Sequence, residues 1–151
     1  MQYFTLDEFL KSETAEKNNI KNIPNAEQIA NIEQLVAHIL DPLREKFGKP
    51  IVVSSGFRCA ELNAKIKGSR TSQHCKGEAA DIMPKNHADL KSLFKLIILE
   101  NLPFDQLIFE KGVWIHVSMK GNKQPQRGEV LTYDGNKYVK ITRQQALQIF
   151  K

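Results

Sequence analysis

The sequence predicts an α+β fold, a small antiparallel sheet flanked by helices, and three observations carry that reading. Apolar residues recur at spacings of three and four in two long segments. Short β-branched runs lie between polar turns, and two hairpin patterns follow one another without regular strand–helix alternation. With 151 residues, no internal repeat and no linker, the chain is expected to be a single domain over 1–151.

Composition narrows the function classes. Apolar residues make up 41%, enough for a core that needs no disulfide or metal staple, so a bound metal would serve chemistry rather than folding. The net charge of +5 comes from scattered lysines and arginines, the pattern of a solvated surface that can also approach an anionic polymer. Two cysteines, Cys59 and Cys75, are too few for a secreted disulfide scaffold and are expected to be free thiols. The start, MQYFTLDEFLKSE, lacks the basic and apolar regions of a signal peptide, and no apolar run reaches a membrane-spanning length. Cytoplasmic synthesis and no membrane insertion are therefore expected.

Thr5 and Glu8 form a capping box for a short helix, roughly Leu6 to Lys11. Ser12 to Pro24 reads as a polar loop. Asn25 caps a long helix whose Ile29, Ile32, Val36, Ile39 and Leu43 share one face. Pro42 is expected to kink or interrupt it, and Gly48 and Pro50 to end it. Ile51 to Val53 form a short strand, Ala60 to Lys67 a short helix, Gly68 to Gly77 a polar loop and Ala79 to Met83 a second strand. Asn86 and Asp89 open a helix with Leu90, Leu93, Phe94, Ile97 and Ile98 inward. Asp105 to Glu110 and Trp114 to Met119 make a hairpin turned by Lys111–Gly112–Val113. Glu129 to Tyr133 and Lys137 to Ile141 make a second, and Thr142 with Gln145 caps a last helix.

The chemistry concentrates in Ser72–Ile82 and Trp114–Ser118. His74 lies in a polar loop, Gly77 allows a sharp turn, and Asp81 sits in the apolar stretch Ala79–Met83, where an unpaired carboxylate is costly and needs a cation or several donors. His116 falls mid-strand. Two imidazoles and a carboxylate suit zinc and leave one coordination position open, as a catalytic site requires. Spacing alone is weak support, since a loop histidine is usually only surface.

The pattern Ser-x-His-x-x-Gly-x-Ala-x-Asp over Ser72–Asp81, followed by Trp-x-His over Trp114–His116, resembles the zinc D-alanyl-D-alanine carboxypeptidase family, which includes dipeptidases and phage endolysins. Ser54–Arg58 with Glu61–Asn63, then Leu102–Ile108, then Arg127, Glu129 and Leu131 look like its small phage-type branch. The similarity runs from about Phe4 to Leu131.

That resemblance implies a hedgehog-like fold with the metal on its sheet. It also implies one Zn2+ per chain on His74, Asp81 and His116, and water-driven hydrolysis of peptidoglycan stem peptides by a carboxypeptidase or endopeptidase. Arg58 matches an arginine that binds substrate and stabilises charge on the scissile carbonyl, work that suits a permanently charged fork of donors. Ser72 and Gln106 are candidate substrate-binding or ligand-orienting groups. One departure matters. Relatives carry an acidic residue three positions before the last histidine, where this chain has Val113. Glu110 is the leading candidate base, provided the hairpin turn has three residues, and Glu78 is the alternative.

Two other readings compete. Loss of the acidic residue at Val113 would suit a zinc-containing wall-binding module without hydrolysis. The basic balance alone raises a nucleic-acid-binding domain, against which stands the lack of a basic stripe interleaved with aromatics. The expected setting is a monomeric lytic enzyme, of the kind a phage encodes, that reaches the wall after release.

Overall fold

A computed structural model describes residues 1–150. Thr5 caps α1 (Leu6–Leu10) in a complete capping box. The next segment is not all loop. Ser12 Oγ accepts the Ala15 N–H at 3.2 Å and starts α2 (Glu13–Lys17). Five residues are too few to display a periodicity, which is why sequence patterning missed the element.

Asn25 and Gln28 cap α3 (Ala26–Leu35) reciprocally. Pro42 does not break the helical path. One wide turn, Val36–Leu40, with the Asp41 N–H donating to Val36 O, carries the chain into α4 (Asp41–Phe47), and Pro42 occupies the first turn of α4. A π-type turn absorbs the proline because it changes the backbone register where the missing N–H would have been needed. Gly48, at φ 73°, ends α4.

The remaining elements are β1 (Ile51–Ser55), α5 (Ala60–Lys65), β2 (Ala79–Pro84), α6 (Leu90–Leu99), β3 (Gln106–Glu110), β4 (Trp114–Ser118), β5 (Glu129–Tyr133), β6 (Tyr138–Ile141) and α7 (Arg143–Ile149). The polar loop before β2 includes a 3-10 turn, Gln73–Lys76.

The six strands form one open sheet in the order β1-β2-β4-β3-β5-β6. Four neighbouring pairs are antiparallel as expected, while β3 and β5 run parallel. The parallel pair joins the two hairpins into one surface.

Side chains alternate across a pleated strand, so the sheet has two unlike faces. Ile82, Leu107, Phe109, Ile115, Val117 and Val130 enter the core with the apolar sides of α3, α4 and α6. The other face carries Asp81, His116, Ile108, Glu110 and Leu131, joined by the pairings Asp81–His116, Ile108–His116, Ile108–Leu131 and Glu110–Trp114. Helices thus brace one face and leave the second for chemistry.

Candidate metal centre and active site

His74, Asp81 and His116 offer ligand atoms that lie within 4.8 Å of one another. His74 comes from the 3-10 turn Gln73–Lys76, Asp81 from β2 and His116 from β4, where it pairs directly with Asp81. Ser72 caps the turn by accepting the His74 N–H at 3.2 Å. Gly77 closes it at φ 74°, and a Cβ there would collide with the Gln28 carbonyl oxygen, so glycine is required on both counts.

The orientation of His74 is set from behind. Its Nδ1–H donates to Gly56 O at 2.7 Å, which turns Nε2 toward Asp81 Oδ1, 3.3 Å away. His116 Nδ1 lies 3.1 Å from the same oxygen. Gly56 reaches that position because its Cα passes against α1, where a Cβ would sit 2.6 Å from Phe9 Cα.

This donor set fits zinc. With Nδ1 committed to Gly56 O, His74 Nε2 faces the Asp81 carboxylate oxygen at 3.3 Å, so both atoms converge on one point that a cation would occupy. Burial penalises the Asp81 charge, yet the neighbouring imidazoles outweigh it and hold the carboxyl well below the usual carboxylate range. The site is therefore built to keep an anion, and two nitrogens with one oxygen match the borderline-soft preference of Zn2+. Three protein ligands leave a position open.

The Lys111–Gly112–Val113 connection has three residues, with the Val113 N–H donating to Glu110 O at 2.9 Å, and Glu110 stands opposite Trp114. Glu110 consequently faces the same side as His116, and both line a groove of about 780 Å3. Its side chain is buried, and no hydrogen bond or ion pair engages its carboxylate among the described residues. Burial raises its pKa; His116 opposes that shift and the Asp81 charge adds to it. Val113, which stands where the resemblance implies an acid, lies in the turn and is 44% exposed.

Glu78 also borders the groove but is already engaged. Its carboxylate accepts from Gln73 Nε2 at 3.3 Å and from the Gly121 N–H at 2.8 Å. Gln106 lines the groove with its amide donating to Glu129 at 2.8 Å. Arg58 donates from Nη2 to Ser72 Oγ at 3.3 Å, and its backbone N–H donates to His74 O at 3.1 Å. Its side chain borders a hollow lined by Ser54, Ser55 and Leu62 rather than the groove of His116 and Glu110, its Nε is buried without a partner, and burial lowers its pKa against the pull of Asp81. Cys59 and Cys75 are free, and burial pushes the Cys75 thiol up.

Sequence reasoning missed the Asp105–Arg127 pair. Asp105 is fully buried, accepts the Arg127 backbone N–H at 2.8 Å and is gripped by its guanidinium, with Nη2 to Oδ2 at 2.7 Å. The signal was available: an aspartate within Leu102–Ile108 needs a partner, and Arg127 was the arginine in the other resembling segment. Leu131 and Tyr138, from β5 and β6, were also missed as groove residues.

Comparison with curated proteins finds no match to this chain. The family model described as Peptidase M15 matches residues 2–118, which include all three converging ligands, Arg58 and Glu110. With that match covering most of the chain and the His74–Asp81–His116 cluster intact, the chain belongs to the Peptidase M15 family of zinc D-Ala-D-Ala carboxypeptidase-like peptidases.

Proposed function

We propose that this zinc peptidase hydrolyses peptide bonds of bacterial peptidoglycan stem peptides, with Glu110 as general base and Arg58 as the oxyanion and substrate-binding cation. The observation that carries the reading is the unpartnered Glu110 carboxylate, on a largely buried residue, opening into the same groove as His116. Zinc held by His74, Asp81 and His116 would polarise the scissile carbonyl and acidify the attacking water.

Glu110 takes a proton from the attacking water and delivers it to the leaving amine nitrogen. A raised pKa makes it a better proton acceptor than an exposed glutamate, and its freedom from partners leaves both oxygens available. Arg58 meets the negative charge that develops on the carbonyl oxygen. Ser72 orients two parts of the site at once, since its Oγ accepts from Arg58 Nη2 and from the His74 N–H. Gln106, held by Glu129, presents an amide to the peptide backbone along the groove.

No helix among the described residues is long and apolar enough to cross a membrane. Our reading is of a monomer made in the cytoplasm that reaches the wall after release, as a phage lysis enzyme would, and that takes a peptide rather than nucleic acid. The test is digestion of purified peptidoglycan by the zinc-loaded protein, with mass spectrometry of the fragments. New peptide termini in the stem region are expected. A zinc-loaded protein that binds peptidoglycan but releases no fragment would replace this reading with a wall-binding module.

A further inference from the structure

The groove does not end at the metal cluster. Pairing places Asp81, His116, Ile108, Leu131 and Lys140 in one row across five strands of the open face. A second row runs Trp114, Glu110, Tyr133 and Tyr138. Leu131 and Tyr138 line the same groove as His116 and Glu110. Both residues belong to the β5–β6 hairpin, which lies wholly outside residues 2–118 that match the family model.

The hairpin end of the groove is built for apolar contact. Tyr138 stacks on Tyr133 with ring centroids 4.2 Å apart and planes at 23°. Tyr133 is itself fixed, its hydroxyl donating to Gly135 O at 3.0 Å in the hairpin turn. Tyr138 is 57% exposed despite that stack, so a pre-positioned ring stands open to the groove that Leu131 also lines. A rigid aromatic held this way binds at little entropic cost.

We infer that the β5–β6 hairpin forms a substrate subsite in which Tyr138 and Leu131 receive an apolar portion of the stem peptide remote from the scissile bond, with Tyr138 as a specificity-determining residue. The inference rests on the peptidase reading. Three strand spacings separate β4 from β6, roughly 14 Å, which an extended peptide covers in about four residues. Contact with Tyr138 therefore begins only when the substrate runs roughly three or four residues past the bond on that side.

The experiment uses stem-peptide fragments lengthened one residue at a time on each side of the cleaved bond. The turnover parameter kcat/KM is measured with zinc-loaded protein, and Kd by calorimetry with metal-free protein. Both are expected to improve about tenfold when one side reaches three or four residues, the worth of one partly buried apolar group. Tyr138→Ala should abolish that length gain, and Tyr138→Phe, which keeps the ring, should retain it. Val139→Ala, on the opposite face of the same strand, controls for damage to the hairpin and should also retain it. A length gain that survives Tyr138→Ala, or no gain at any length in either measurement, overturns the subsite. A calorimetric gain lost in Tyr138→Ala, together with no hydrolysis of any fragment, supports the subsite and counts against the peptidase reading instead.

Discussion

Two buried carboxylates frame the third strand, and they are treated in opposite ways. Asp105, immediately before β3, is fully buried and accepts hydrogen bonds from both the backbone and the guanidinium of Arg127, with Lys120 Nζ at 3.9 Å. Glu110, the last residue of β3, is nearly as buried and has no such partner among the described residues. Burying either charge is costly. At Asp105 the cost is offset by Arg127, which thereby ties the segment before β5 to the start of β3. At Glu110 it is left standing, next to the only His–Asp–His convergence found among the described residues. One carboxylate serves architecture and the other is kept available for reaction.

The largest effect that bears on this contrast comes from removing the cluster that Glu110 faces. His116→Ala should reduce zinc from about one per chain to a trace by elemental analysis, and abolish hydrolysis, with the far-UV circular dichroism unchanged. The fold is expected to persist because its apolar core does not involve the metal. Full zinc occupancy in this variant would remove His116 from the site and with it the reason for Glu110 to be bare.

Next in size is Glu110→Gln, which keeps shape and removes the base. Turnover should fall by roughly two to four orders of magnitude with zinc content and KM little changed. Glu78→Gln provides the contrast. Its carboxylate already accepts from Gln73 and Gly121, so that substitution should act mainly on stability. If Glu78→Gln abolishes turnover at unchanged stability while Glu110→Gln does not, the two roles are reversed.

Much of this arrangement was legible in the sequence, for identifiable reasons. The caps at Thr5, Asn25 and Thr142 are local hydrogen-bond patterns and appear where the residue types put them. The Glu110 face followed from alternation once a three-residue turn was assumed, and the positive φ values of Lys111 and Gly112 close that turn. Pairings between distant segments were not legible. Alternation assigns a side chain to a face but does not name the neighbouring strand, so the parallel β3–β5 pair, and with it the place of Leu131 and Tyr138 on the groove, stayed hidden. Asp105 signalled its need for a partner by its apolar setting, but with 22 residues between them no local pattern tied it to Arg127.

Asp105→Asn tests the architectural end. Removing the buried member of an ion pair whose arginine is 46% exposed should cost about 2 kcal/mol, read from chemical denaturation, with the zinc content of the folded protein retained. An unchanged denaturation midpoint would mean that Arg127 contributes no more than a surface pair.

The smallest expected effect is also the one that separates the two carboxylates most directly, because their contributions to stability carry opposite signs with pH. Metal-free protein is the right material, since a bound cation would act on Glu110. Burial raises the folded-state pKa of Glu110 above its ordinary value of 4.5. The folded state then holds a proton that the unfolded chain has already released. Stability therefore falls as pH rises from the unfolded value through the folded one, and stays lower above it. Asp105 behaves in the reverse sense. Burial opposes its charge, but the Arg127 hydrogen bonds and charge more than compensate and lower its pKa below 3.8. Its contribution is present above the unfolded value and is lost as pH falls through the folded one. Denaturation curves of the parent chain, Glu110→Gln and Asp105→Asn between pH 3 and pH 7 resolve the two. Relative to the parent, Glu110→Gln should become progressively more stable as pH rises above about 4.5, the ordinary glutamate value. Asp105→Asn should become progressively less stable relative to the parent as pH rises through the acid end of that range. Parallel curves for the parent and Glu110→Gln would mean that the Glu110 carboxylate meets a compensating partner when ionised, and the contrast between the two ends of β3 would collapse.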